Sequence, residues 1–94
     1  MIRLQVSARL QKRVAGIPAD VRAAASQALA AVAASFGQSH QHSGLSLRKL
    51  GRRSYEVRVS LQWRIVLILE GEILTAYDLM SHDEVRRWVR HQSK

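Results

Sequence analysis

The hydrophobic pattern of this chain changes period once, and that change restricts the fold more than any other feature. From Val21 to Phe36 the apolar positions recur at helical spacing, with Val21, Ala25, Ala28, Leu29, Val32 and Phe36 on one face. Gln38-Ser39-His40-Gln41-His42-Ser43-Gly44 follows, a stretch of turn composition with no apolar anchor. Beyond it the repeat is two residues. Leu45, Leu47 and Leu50 lead in; Tyr55, Val57 and Val59 alternate with Glu56 and Arg58, and Trp63, Ile65, Leu67 and Leu69 alternate with Arg64, Val66 and Ile68. Gly71, between Glu70 and Glu72, marks a tight hairpin before a third run, Ile73 to Met80. Helices first and consecutive strands after predict an α+β domain built on an antiparallel meander.

The first half supplies what must cover that sheet. Ile2, Leu4 and Val6 alternate as a short N-terminal strand, and Ser7 is a suitable N-cap for a helix to about Ala15. Gly16 breaks it, Pro18 suits the first turn of a second helix, Asp20 complements its dipole, and Gly37 is placed to end it. The result is a helical hairpin packed on a small antiparallel sheet. With 94 residues, the chain is expected to be one domain over 1–94. If Tyr55, Val57, Val59, Ile65, Leu67 and Leu69 face the helices, parity sends Arg58 and Arg64 to the other, open face. A short C-terminal helix, Asp83 to Gln92, carries Val85, Trp88 and Val89 on one side, and is expected to dock by Trp88 at a sheet edge.

Charge narrows the class of partner. Lys plus Arg number fifteen against seven Asp plus Glu, for a net charge of +8, which favours phosphate backbones, acidic proteins or anionic lipid. Arg outnumbers Lys twelve to three, which suits bidentate phosphate recognition, although a coding bias toward arginine produces the same excess. The absence of cysteine excludes disulfides and thiolate metal sites. His40 and His42 sit in a loop with no cysteine or acid nearby, so neither a metal nor a cofactor is assigned. The opening Met1-Ile2-Arg3-Leu4 lacks the pattern of a secretory signal, and Ile65 to Leu69 is too short an apolar run to span a bilayer. A soluble cytoplasmic protein with no membrane partner is expected.

In order and in residues the chain resembles the RelE/ParE superfamily of bacterial toxins. The matching pieces are Leu47-Arg48-Lys49-Leu50, Tyr55-Glu56-Val57-Arg58-Val59, Trp63-Arg64-Ile65-Val66 and an apolar strand ending near His82-Asp83, preceded by the Ser7 to Leu10 helix entry and the Gly16-Ile17-Pro18 break. The resemblance implies the toxin of a type II toxin-antitoxin system, neutralised by a cognate antitoxin protein in a hetero-oligomer. It also implies one of two activities. RelE-like and HigB-like members are metal-independent endoribonucleases that cleave messenger RNA on the ribosome and so inhibit translation, whereas ParE-like members bind DNA gyrase without catalysis. A toxin fold kept only as an inactive interaction module is a third reading.

Ribonuclease chemistry of this kind needs a 2′-hydroxyl activated, charge on a pentavalent phosphate stabilised and the leaving 5′-oxygen protonated. The resemblance places Arg58 and Arg64 at the phosphate and His82 at proton transfer, oriented by Asp83. Arg48, Lys49, Arg52, Arg53 and Arg86 would bind the RNA backbone. Each has a plainer alternative: a solvated sheet face for the arginines, and an N-cap and first-turn acid for His82-Asp83. The sequence departs from the nuclease pattern in two places. A tyrosine expected in or just before the last helix is replaced by Arg86 and Arg87, with Trp88 beyond, and Glu56 stands where a basic residue is common. Tyr77, on the alternation set of Ile73 and Leu79, is expected to face the core.

Overall fold

The computed structural model describes residues 2–36 and 47–92. Along the chain run β1 (Arg3–Val6), α1 (Ala8–Ala15), α2 (Ala19–Ser35), β2 (Leu47–Lys49), β3 (Ser54–Arg58), β4 (Trp63–Glu70), β5 (Ile73–Ser81) and α3 (His82–Gln92). The predicted His40/His42 loop and the Gly37 terminator lie outside the described residues.

One five-stranded sheet has the order β1-β5-β4-β3-β2. The meander is as the alternation predicts: β2, β3, β4 and β5 pair antiparallel in succession, with Tyr55 opposite Leu67, Val57 opposite Ile65 and Arg58 opposite Arg64. The short opening strand makes the sheet mixed, because β1 joins β5 in parallel with Val6 opposite Ala76. At the β4–β5 turn Gly71 adopts φ of 62°, the left-handed conformation that a two-residue hairpin demands and glycine accepts without cost.

Two of the three helices start at a serine whose hydroxyl caps them, Ser7 for α1 and Ser81 for α3. The Ser7 hydroxyl accepts from the Leu10 N–H at 3.0 Å and also donates to the Tyr77 carbonyl, so one side chain opens α1 and ties it to β5. Pro18, expected in the first turn, stands just before α2 with no side-chain cap, its carbonyl accepting from the Arg22 N–H at 3.0 Å, and the helix ends at Ser35 with Phe36 as its C-cap. The helical hairpin buries Leu10, Ala25 and Val32 against Val57, Ile65, Leu67, Leu74, Ala76 and Leu79, and Tyr55, Val59, Trp63 and Leu69 pack around this core. Phe36 meets Tyr55 edge-on, ring centroids 5.1 Å apart.

The other face is only partly open. Instead of docking at an edge, α3 crosses the sheet's second face, where Val85 packs on Val66 and Met80 with Leu50, Tyr77, Trp88 and Val89 around them. The architecture is therefore three layers. Tyr77 is on this side, contrary to its expected place in the core, because it is the extra residue of a bulge: Val66 pairs with Asp78 and Leu67 with Ala76, leaving Tyr77 unmatched. Its ring meets Trp88 at 6.0 Å, and the Arg9 guanidinium lies 5.4 Å above it while binding the buried Asp78 carboxylate at 3.0 Å. Among the described residues no helix is long and apolar enough to cross a membrane.

Candidate functional site

The site is built on the part of the second face that α3 leaves uncovered. Strand parity puts Arg48 of β2, Glu56 and Arg58 of β3 and Arg64 of β4 on that face, and α3 begins beside them with His82 as its first residue. These five side chains line one open depression of about 260 Å³. Arg58 and Arg64 are cross-strand partners, so two guanidinium groups of like charge start from neighbouring backbone positions. Arg64 is held rather than free: its Nη1 donates to the carbonyls of Ser60 at 2.8 Å and Trp63 at 3.1 Å, fixing the guanidinium over the β3–β4 turn. Arg58 is exposed and makes no comparable contact within the site.

Two further depressions continue the first along the flank of α3. One, of about 290 Å³, is lined by Arg48, Leu50, Val85, Arg86, Val89 and Arg90; the other, of about 520 Å³, includes Arg52, Arg53, Trp88 and Gln92. Arg48 borders both the first and second, and Leu50 and Val89 both the second and third. They form a single channel. Leu50, Val85, Trp88 and Val89 give its second and third parts apolar walls, and along its length it carries Arg48, Arg52, Arg53, Arg58, Arg64, Arg86 and Arg90, a distribution suited to an extended polyanion. Ser54 to Arg58 is four strand steps, about 13 Å, so Arg52 and Arg53 serve the far end of the channel and not the Arg58/Arg64 end.

The structure thus brings together Arg58, Arg64, His82 and Arg48, and places Arg52, Arg53 and Arg86 on the same channel. It separates two others. Lys49 shares the parity of Leu47 and points to the helical-hairpin side, its Nζ 6.0 Å from the Tyr55 ring centroid. Asp83, exposed on the first turn of α3, does not line the depression with His82.

Sequence reasoning missed two residues here. Glu56 is only 4% exposed, paired through one oxygen with Arg48 Nη2 at 2.7 Å. Its parity with Arg58 fixed the face but not its burial beneath Arg48. The second is Glu84, and its signal was legible: Ser81-His82-Asp83-Glu84 has capping-box spacing. The Ser81 N–H donates to Glu84 Oε1 at 2.8 Å, and the Glu84 N–H to Ser81 Oγ at 3.2 Å. Arg13 of α1 clamps the same carboxylate at 2.9 and 3.2 Å, its guanidinium 5.7 Å from the Trp63 ring centroid. His82 is therefore oriented by its place on a capped helix start.

The Ser81 N–H holds the Glu84 carboxyl below its usual range; burial opposes it, and Arg13 adds to the lowering. A carboxylate depressed in the folded state stabilises at pH above its unfolded value, about 4.3, and that contribution is lost as pH falls through the folded value. Glu84→Gln keeps the capping acceptor but loses the Arg13 ion pair, and is expected to lower stability by up to about 1 kcal/mol at pH 7. Chemical denaturation from pH 7 to pH 3 should show the difference between variant and wild type closing on the acid side; a constant difference would contradict the assignment.

The fold is that of the RelE-type toxins. The chain superposes on the RelB-RelE antitoxin-toxin complex of Methanococcus jannaschii with a TM-score of 0.67 at 13% identity, over 88% of this chain and 95% of that one. The RelE-RelB complex of Pyrococcus horikoshii gives 0.67 at 10% identity, over 85% and 93%. YafQ of Escherichia coli gives 0.61 at 12% identity, over 90% and 98%. No protein-family profile matches the chain, and no curated protein matches it in sequence.

Proposed function

We propose that this protein is the toxin of a type II toxin-antitoxin pair and acts as a metal-independent endoribonuclease on messenger RNA held by the ribosome. The observation that carries the reading is the convergence of Arg58, Arg64 and His82 on one open depression at the end of a basic channel. A phosphate seated between the two arginines gains charge-assisted hydrogen bonds that strengthen as negative charge builds on its oxygens in the transition state. Arg64, already anchored through Nη1, is preorganised for this task. His82 stands beside the phosphate, where its imidazole can give a proton to the leaving 5′-oxygen. The remaining arginines bind the neighbouring phosphates and set the strand's direction.

Two of the structural neighbours are toxin-antitoxin complexes, which supports a cognate antitoxin as the partner in the cytoplasm. An antitoxin that silences this site has to cover the channel, and acidic side chains across it satisfy the arginines.

Purified protein added to a translating extract should cut the message within the ribosome-protected region and leave free RNA intact. Intact message together with arrested supercoiling by DNA gyrase would replace this reading with that of a non-catalytic gyrase-binding toxin. Wild type as harmless to cells as an Arg64→Ala, His82→Ala double variant would leave only an inactive interaction module.

A further inference from the structure

We infer that Glu56 is the general base of this site, taking the proton from the attacking 2′-hydroxyl while His82 protonates the leaving oxygen. The assignment rests on the ribonuclease reading above and supplies what that reading lacks, a second proton-transfer group. Glu56 lines the same depression as Arg58, Arg64 and His82, and it is the sole carboxylate among the described residues that does so.

The geometry of the carboxylate is unusual for a structural ion pair. A glutamate that merely balanced the surrounding arginines would present both oxygens to a guanidinium fork. Here Arg48 holds only Oε2, at 2.7 Å, while Oε1 is buried and has no hydrogen-bond partner among the described residues. A buried acceptor left unpaired is costly, and in a native fold such an atom calls for an explanation. A substrate hydroxyl provides one. The covering side chain is also the movable one: Arg48 is 67% exposed in its side chain against 6% for Glu56, and it borders the channel where the next phosphate lies. When Arg48 turns to that phosphate it releases Oε2 and uncovers the carboxylate, so RNA binding frees the base that the empty site keeps capped.

The step balances without any further reagent. Glu56 removes the 2′-hydroxyl proton, the 2′-oxygen forms a bond to phosphorus, and Arg58 and Arg64 hold the charge on the equatorial oxygens. The bond from phosphorus to the 5′-oxygen breaks as His82 delivers its proton there. The products are a 2′,3′-cyclic phosphate and a 5′-hydroxyl. Solvent then returns the proton from Glu56 to His82.

Single-turnover cleavage of message on programmed ribosomes, measured alongside ribosome affinity and melting temperature, tests the assignment. Glu56→Gln should slow cleavage by roughly 10²- to 10⁴-fold. Affinity should hold or tighten, because a negative charge leaves a phosphate site. Glu56→Asp keeps the charge and the Arg48 pair but shortens the reach; it should fold like wild type and cleave at an intermediate rate, so it carries the test if the glutamine variant does not fold. Cleavage by either variant at the wild-type rate overturns the assignment and leaves the ribonuclease reading standing. So does a loss that appears only as weaker binding or a lower melting temperature. Wild-type protein that leaves message intact overturns both.

Discussion

Arg58→Ala is expected to abolish toxicity while leaving the melting temperature unchanged or slightly raised. On the ribonuclease reading proposed above, removing one charge donor to the transition-state phosphate costs on the order of 10²- to 10³-fold in rate. Arg58 has no structural duty to offset. It is exposed, and its cross-strand neighbour is Arg64, so the fold tolerates two like charges side by side and is relieved when one goes. Arg64→Ala is expected to lose as much activity but also to lower stability, because the carbonyls of Ser60 and Trp63 lose their shared donor. Single-turnover rates and thermal melts of both variants check the contrast. An Arg58→Ala protein that stays toxic would remove the phosphate from this part of the sheet.

The largest effect on folding is expected from Ile65→Ala. Ile65 is wholly buried at the centre of β4, opposite Val57 and Leu79, between the sheet and the helical hairpin. Truncating such a side chain costs about 2–5 kcal/mol, from lost transfer energy plus the cavity left behind. Total stability for a domain of this kind is about 5–15 kcal/mol, so the loss is a sizeable share. At about 4–8 °C per kcal/mol for a domain of this length, the melting midpoint should fall by roughly 10 °C or more. Calorimetry checks it. The Arg58/Arg64 face points away from Ile65, so the variant's folded fraction should retain the wild-type rate at a temperature well below its midpoint.

Most of the sheet was legible because alternation over Tyr55 to Val59 and Trp63 to Leu69 fixes both strand and face. The same parity located Arg58 and Arg64. Lys49 illustrates a signal present but unused: two residues from Leu47, it had to share that residue's face. The burial of Glu56 was not legible, since β3 alone does not reveal that Arg48 of β2 closes over it. Nor was the position of Tyr77, because alternation assumes an unbroken ladder. The capping box was readable at Ser81 and Glu84, and it accounts for the His82 placement more directly than the neighbouring Asp83.

The bulge at Tyr77 has a consequence for how such a gene can change. On the hairpin side the strand presents Leu74 and Ala76, then Leu79, while Met80 belongs to the α3 side, so one extra residue shifts the phase between two hydrophobic cores. Loss of the Tyr77 codon would leave Leu79 opposite Ile65 and Met80 opposite Arg64 and would only close the bulge. An insertion at the exposed Leu61 tip changes neither phase. In its descendants, length variation should therefore accumulate at that turn and at Tyr77 and be purged from the regular part of the ladder, which makes the irregular pairing a place where β5 can absorb a change in length.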